Sequence, residues 1–420
     1  MTLKEGPVPP LRQSLEAVPV EHQGKAMFVL RDLEGLTDSS LAMSAGGLMI
    51  ASMFDGRRAA AEIQALFAKQ TGNSIKLEEI RALAEQLESS GLLETAELEA
   101  KRQRLFKGFL GGSVRPASHV GSVYPADAGE LSGTLGKFFK DPKGPGKEFS
   151  SARVGAAPAG LVCPHIDFHR GGPAYAWAYQ ALSERRPPAL VVALGVAHMS
   201  PKSPWVMTPK NYQTPYGDVH TDAGLYGEIK NALWYDPREE ELVHRTEHSL
   251  EFSAVWLKYL WKEKTPPWVP ILCSSFERFC PDTAPSTVAS VDDAISKIGE
   301  KLAARVRAGQ KVMILSAIDL AHVGPRFGDD EKITPELEAR IEKEDRKSLE
   351  HALKLDADAF YLSVVADGHW RKVCGLSALY TSIRLIKAIQ SKFAPGTLLT
   401  YGQAPDPMGG IVSFTSAIYP

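Results

Sequence analysis

Ala189-Leu-Val-Val-Ala-Leu-Gly-Val-Ala-His198 is an unbroken apolar run that ends on a histidine. Two other runs share its layout. Gly160-Leu-Val-Cys163 leads through Pro164 to His165, and Lys311-Val-Met-Ile-Leu-Ser316 leads through Asp319 to His322. Short continuous apolar runs fit strands covered on both faces, as in a largely parallel sheet. Helical spacing fills the intervals at 174–184, 249–262 and 291–307, and further strands are expected at 268–273 and 411–419. The reading is an α/β domain, a largely parallel sheet flanked by helices. In open sheets of this kind ligands bind at the carboxyl ends of the strands. Three histidines delivered to that one edge point to a site.

The chain has 420 residues, which predicts two or three domains. Hydrophobic residues at 44% and charged residues at 23% are a globular mixture. A net charge of −2 supplies no bulk attraction to nucleic acid or to an anionic membrane, so neither is expected as a partner. The opening residues MTLKEGPVPPLRQ lack the apolar core of a secretory signal, and no stretch approaches a membrane span. Four cysteines do not make a disulfide framework. Cys163, Cys273 and Cys280 read as reduced core residues, and a cytoplasmic location is expected.

The α/β pattern occupies 119–420. Before it, residues 15–98 read as a small α+β domain. A strand-like Ala26-Met-Phe-Val-Leu30 is followed by a helical stretch ending near Phe54-Asp55-Gly56, then by apolar positions at helical spacing in 58–70 and 77–88. A stop at Ser89-Ser90-Gly91 and the pair Leu92-Leu93 complete a winged-helix-like outline. Residues 99–118 contain Lys101, Arg102, Arg104, Lys107 and Arg115 and read as a solvated linker. No concentrated basic recognition helix supports a DNA-binding reading.

Neutral imidazole is the commonest metal ligand. Two imidazoles with one anionic side chain, leaving positions open, is a layout used for iron-dependent oxygen chemistry. The runs themselves leave the anionic ligand open among Asp167, Asp319, Glu251 and Cys374. Cys374 precedes Gly375 and a helix beginning near 378, and a helix N-terminus favours the thiolate. In Thr246-Glu-His248-Ser-Leu-Glu251 the His and the second Glu lie three apart, as an acid/base or ligand-and-orienter pair would.

Together these runs resemble the Memo family, which is related in fold to the class III extradiol ring-cleaving dioxygenases. The resemblance covers 119–420. It is carried by Gly121-Ser-Val-Tyr-Pro125, Pro164-His165, Leu194-Gly-Val-Ala-His198, Asp222, Glu247-His-Ser-Leu-Glu251, Ser316-Ala-Ile-Asp-Leu-Ala-His322 and Val373-Cys-Gly375. It implies a metal site of His165, His198 and Cys374, and catalytic roles for Asp319, His322, His248 and Glu251. His322 is expected in the second layer as a proton shuttle, oriented by Asp319 or Glu251. Iron is the implied ion, with copper or zinc as alternatives, and the implied chemistry is redox or dioxygenase-type. The competing implication is a non-catalytic protein that binds a peptide or phosphorylated ligand at a vestigial site. Departures from the family pattern are Ile166-Asp-Phe168 after the first histidine, Met199 in place of a second histidine, and Ser316-Ala317.

Residues 15–98 resemble a PqqD-type peptide-binding domain through Leu30-Arg-Asp-Leu-Glu-Gly35, Phe54-Asp-Gly-Arg-Arg58 and Leu87-Glu-Ser-Ser-Gly-Leu-Leu93. That resemblance implies a peptide or protein partner for this domain. Bacterial Memo-like proteins are often encoded beside an AMMECR1-like protein and a radical SAM enzyme. The implied role is therefore protein B of an AmmeMemoRadiSam system, with those two proteins as partners.

Overall fold

The computed structural model describes residues 6–22, 25–32, 34–37, 39–150, 152–153, 155–406 and 409–420. The chain forms two compact units, Met1–Gly111 and Gly112–Pro420. In the first, Leu15–His22, Lys25–Asp32 and Leu41–Ser44 form an antiparallel three-stranded sheet. Helices Ala45–Ser52, Ala60–Thr71, Leu77–Ser89 and Ala96–Gly111 follow. Their apolar stripes, among them Ile63, Phe67, Ile80 and Leu87, close a core with Leu30 and Met43. The expected strand at Leu92-Leu93 is a single bridge from Leu11 to Leu93. Residues before 15 also belong to this unit, because Val8 and Arg12 are buried in it. In the stretch 30–35, Leu33 lies outside the described residues. Asp32 accepts backbone N–H groups of Glu34, Leu36 and Thr37 and pairs with buried Arg12.

The expected linker 99–118 takes a different form. Residues 99–111 continue the helix Ala96–Gly111, and the chain divides after Gly111. Val114–Arg115 is a short strand paired with Asn211–Tyr212, and Arg115 is fully buried. Its charge signalled solvent in the sequence, but a carboxylate 136 residues away receives it.

The second unit is built on an eight-stranded mixed sheet. Gly160–Cys163, Val312–Ala317, Leu190–Val196 and Trp268–Cys273 lie side by side in that order and run parallel. The remaining strands are antiparallel to their neighbours. Trp205–Met207 flanks Trp268–Cys273, while Gly410–Tyr419 pairs with Gly160–Cys163, Asp319–Val323 and Thr397–Asp406. The expectation of a largely parallel sheet therefore holds for the four central strands and not for the margins.

The central strands are apolar on both sides because both sides are covered. Side chains alternate across a strand. Val192, Leu194 and Val196 enter a core with helices Ala289–Arg307 and Leu376–Ile389. Val191 and Ala193 enter the opposite core with Phe168–Ser183 and Ser249–Trp261. Met313, Leu315 and Ala317 alternate with Val312 and Ile314 in the same way. Cys163, Cys273 and Cys280 are buried and unpaired, as expected. No helix among the described residues is long and apolar enough to cross a membrane.

Candidate metal centre

Of the three strand-end histidines expected at one edge, His165 and His198 come together there, and His248 rather than His322 is the third member of the cluster. His165 follows Gly160–Cys163 across Pro164, and His198 follows Leu190–Val196. His248 stands at the start of helix Ser249–Trp261. That helix is fastened to the strand end, since the Ser249 hydroxyl donates to Val196 O at 3.0 Å and accepts from Val196 N at 3.1 Å. Gly195 makes the approach possible, because a Cβ there would meet the Ser249 hydroxyl at 2.6 Å. One ligand nitrogen from each of His165, His198 and His248 lies within 4.8 Å of the others. The His198 and His248 rings stack at 4.8 Å, and the His165 ring meets both edge-on at 5.1 and 5.3 Å.

Each ring is oriented through its Nδ1. His165 has Nδ1 3.0 Å from Ala317 O, the position of a donated N–H, which makes Nε2 the nitrogen with the lone pair. Glu247 serves the other two rings. It lies 3.0 Å from His198 Nδ1 and 3.3 Å from His248 Nδ1, and it also accepts the Ser249 N–H. A buried carboxylate or carbonyl behind each imidazole is the usual outer support of a metal-binding histidine. His165 is nearly inaccessible, whereas 37% of the His198 side chain is exposed, so solvent approaches from the His198 side.

Burial pushes His165 down to about 3, with the His198 charge adding to the effect and the Ala317 carbonyl opposing it. Burial also dominates at His248, which lies well below the ordinary imidazole range despite Glu247. His198 differs. Burial opposes its charge, but the Glu247 carboxylate and hydrogen bonds that the ring donates to Cys374 and Glu247 hold it well above the ordinary range.

Of the four residues left open as the anionic ligand, two adjoin the rings. Cys374 Sγ lies 3.3 Å from His165 Nε2, and Asp319 Oδ2 lies 3.5 Å from the same atom. Asp319 Oδ1 accepts the His165 N–H at 3.0 Å. Burial raises Asp319 to about 6, against the nearby His322 charge and two backbone N–H groups. Burial also raises the Cys374 thiol, against the His198 contact. Asp167 is occupied elsewhere, capping helix Phe168–Ser183 and pairing with Arg170. Asp222 likewise caps helix Ala223–Lys230.

Glu251 is not at the cavity surface. Its side chain is fully buried against Arg115, with which it forms an ion pair. It also accepts from Ser118 N and Oγ at 3.0 and 2.8 Å, from His119 N at 2.9 Å and from Tyr124 OH at 2.5 Å. These donors saturate it, which is the environment of a positioning group rather than of an acid/base. Nor does it orient His322. That residue lies on the marginal strand Asp319–Val323, with Nδ1 3.1 Å from Leu320 O and its ring edge-on to Phe327. Burial lowers His322 to about 4, with Asp319 opposing and His165 adding to the shift.

The loop that carries Cys374 is strained and tied down. His369 and Lys372 have φ of 53° and 46°, a region that non-glycine residues rarely adopt. Glu277 holds His369, Asp329 pairs with Lys372, and buried Asp345 holds Arg371 at 2.7 Å. Gly375 then packs so tightly that a Cβ would meet Ile318 Cβ at 2.5 Å. Sequence reasoning did not single out Arg115, His119, Glu247 as an orienter, or these loop pairs. Each has at least one partner that lies far away along the chain.

The family model for "Memo-like protein" matches residues 115–417. A MEMO1 family protein of Aquifex aeolicus is 27% identical over 375 residues, covering 89% of this chain and 90% of its own. That span exceeds the length of Gly112–Pro420, so the likeness extends into the N-terminal unit. MEMO1 family protein TTHA0924 of Thermus thermophilus is 30% identical over 268 residues, covering 64% of this chain and 72% of its own. A MEMO1 family protein of Ignicoccus hospitalis is 28% identical over 317 residues, covering 73% and 99%.

Proposed function

Because the chain belongs to the Memo family, we propose that it is a mononuclear metal protein whose ion is held by His165, His198 and Cys374. The observation that carries this reading is the meeting of oriented His165 and His198, which lie within 4.8 Å of each other, with the Cys374 thiol 3.3 Å from His165 Nε2. The donor set fits an ion. His165 is held through Nδ1, Glu247 directs His198, and the Cys374 thiol lies against His165 Nε2. In this reading His248 is a neighbour that can enter the coordination sphere in place of the thiol. We assign iron, since two imidazoles, one anion and open positions suit it, with copper and zinc as alternatives. Bound iron would supply redox or oxygen-type chemistry. The chain's own contribution is to orient the ligands, to admit small molecules past exposed His198, and to exchange a proton at Asp319. With a pKa of about 6, Asp319 is closer than His322 to the value that suits proton transfer near neutrality. His322 would stand behind it.

The N-terminal unit would recruit a peptide or protein partner in an AmmeMemoRadiSam system, as its protein B beside the AMMECR1-like and radical SAM proteins. In support, a groove of about 960 Å³ runs along Leu77–Ser89 and Ala96–Gly111, with Leu36 and Leu98 among charged Glu85, Lys101 and Arg104.

Metal analysis of protein purified without oxygen tests the centre. One ion per chain is expected, lost in His165→Ala and His198→Ala. With cobalt(II) substituted, a sulfur-to-metal charge-transfer band should vanish in Cys374→Ser. Retention of metal by both histidine variants would sink the assignment. A Cys374→Ser protein with unchanged metal and spectrum would make His248 the third ligand.

A further inference from the structure

Asp345, on helix Pro335–Leu353, is a fully buried carboxylate that the metal reading leaves unused. Its two oxygens serve different segments of the chain. Oδ1 accepts Arg371 Nη1 at 2.7 Å, and Arg371 is buried as deeply as Asp345. Oδ2 accepts the Ser413 hydroxyl at 2.5 Å and the Tyr401 hydroxyl at 3.0 Å. The Arg371 guanidinium also donates to Ser348 Oγ at 3.0 Å and to Ser363 O at 3.1 Å, which fixes its plane. Among the described residues Asp345 is the one carboxylate paired with it.

Two of the three donors to Asp345 lead on to the metal centre. Strand Asp319–Val323 pairs irregularly with Gly410–Tyr419 between Asp319 and His322, and a backbone N–H left buried and unpaired there would be costly. The Ser413 hydroxyl accepts the Ala321 N–H at 2.8 Å, and Arg371 O accepts the His322 N–H at 2.7 Å. The loop after Arg371 rejoins the strand at its far end, where Gly375 N donates to Asp319 O at 3.1 Å. Residues 371–375 therefore lie along residues 319–322. Cys374 Sγ, between those two ties, is 3.6 Å from Asp319 O and 3.3 Å from His165 Nε2. Tyr401 leads elsewhere. Its hydroxyl accepts from Gln403 Nε2 at 3.0 Å and bonds to no described residue of the strand 319–323 or the loop 371–375.

We propose that Asp345 is a positioning residue of the metal centre. Through Arg371 it holds the loop that carries Cys374, and through Ser413 it holds the strand that carries Asp319. It thereby fixes the thiol and the carboxyl against His165. The inference rests on the reading of Cys374 as a ligand. Asp345 touches neither the ion nor a ligand, and its loss acts by letting the loop and the strand part.

The full chain loaded with cobalt(II) tests this, read by cobalt affinity and by the sulfur-to-cobalt band. Asp345→Asn should weaken cobalt binding by about 10–100-fold, the range for an outer partner, and lose most of the band from the cobalt that His165 and His198 still hold. Ser413→Ala should act in the same direction, by about tenfold. Tyr401→Phe removes a hydrogen bond from the same oxygen and should leave both readings as in the parent. A purely structural role for Asp345 predicts that Ser413→Ala and Tyr401→Phe behave alike, since each removes one bond to it. Thermal melts of the metal-free variants record stability separately. Equal bands and affinities in those two variants would overturn the proposal, even where Asp345→Asn fails to fold. A folded Asp345→Asn protein with the parent's band would overturn it as well. A parent that binds cobalt without the sulfur band would show instead that the Cys374 assignment has failed, and the proposal with it.

Discussion

Glu247 and Glu251 stand one helical turn apart at the start of the same helix, and both are withdrawn from solvent. Their partners differ in kind. Glu251 is locked by a buried guanidinium, two backbone N–H groups, a serine, a histidine and a tyrosine. Glu247 meets the Nδ1 atoms of two imidazoles that cluster with His165. Burial is therefore a poor guide to role here. What separates the two is whether a partner is spent in the contact, as Arg115 is, or is left with a free ligand atom, as His198 is.

The largest expected effect comes from breaking the locked member. Glu251→Gln keeps the size but leaves Arg115 charged and buried without its counter-ion. Removal of one partner from such a pair typically costs about 3–5 kcal/mol. Chemical denaturation should show a loss on that scale, while the fraction that folds keeps its metal. An unchanged midpoint would mean that Ser118, His119 and Tyr124 do not depend on the charge, and the contrast with Glu247 would weaken.

A smaller effect is expected from Glu247→Gln. The amide retains hydrogen bonding but removes the negative charge behind His198 and His248. Loss of such an outer partner typically weakens metal binding by about 10–100-fold. Competition with a chelator would measure it. If Glu251→Gln weakened the metal equally, the two carboxylates would belong to one system and the division drawn between them would be wrong.

The same contrast marks what the sequence made legible. The central strands could be read because burial on both faces leaves continuous apolar runs, as in Leu190–Val196. Thr397–Asp406 was missed because an edge strand is half-buried and carries no such run. Asp319–Val323 carries no strand signal of its own, since nothing local reports that it turns back to pair with Gly410–Tyr419. His165 and His198 could be found as strand-end histidines. Nothing local marks Glu247 as the orienter of His198, because His198 lies 49 residues away. Arg115 read as a linker charge for the same reason. Pairings across such separations leave no period or local composition to detect.

The smallest and sharpest measurement counts protons. In the metal-free protein near neutral pH, burial keeps His165 and His248 uncharged. His198 holds its proton against burial because Glu247 is beside it. Cys374 also holds its proton, since burial disfavours the thiolate. A metal binds neutral imidazole and thiolate, so ligands that begin protonated must release their protons. A His165, His198 and Cys374 set should therefore release about two protons per ion, and a set of three imidazoles about one. Affinity should rise with pH in either case, by about tenfold per unit for each proton released. Calorimetry near pH 7 in buffers of different ionisation enthalpy gives the count. Glu247→Gln should lower it by about one, because the charge that holds the His198 proton is gone, whereas Glu251→Gln should leave it unchanged. A count near zero in the parent protein would show that His198 is neutral before the metal arrives, and that Glu247 orients the ring without charging it.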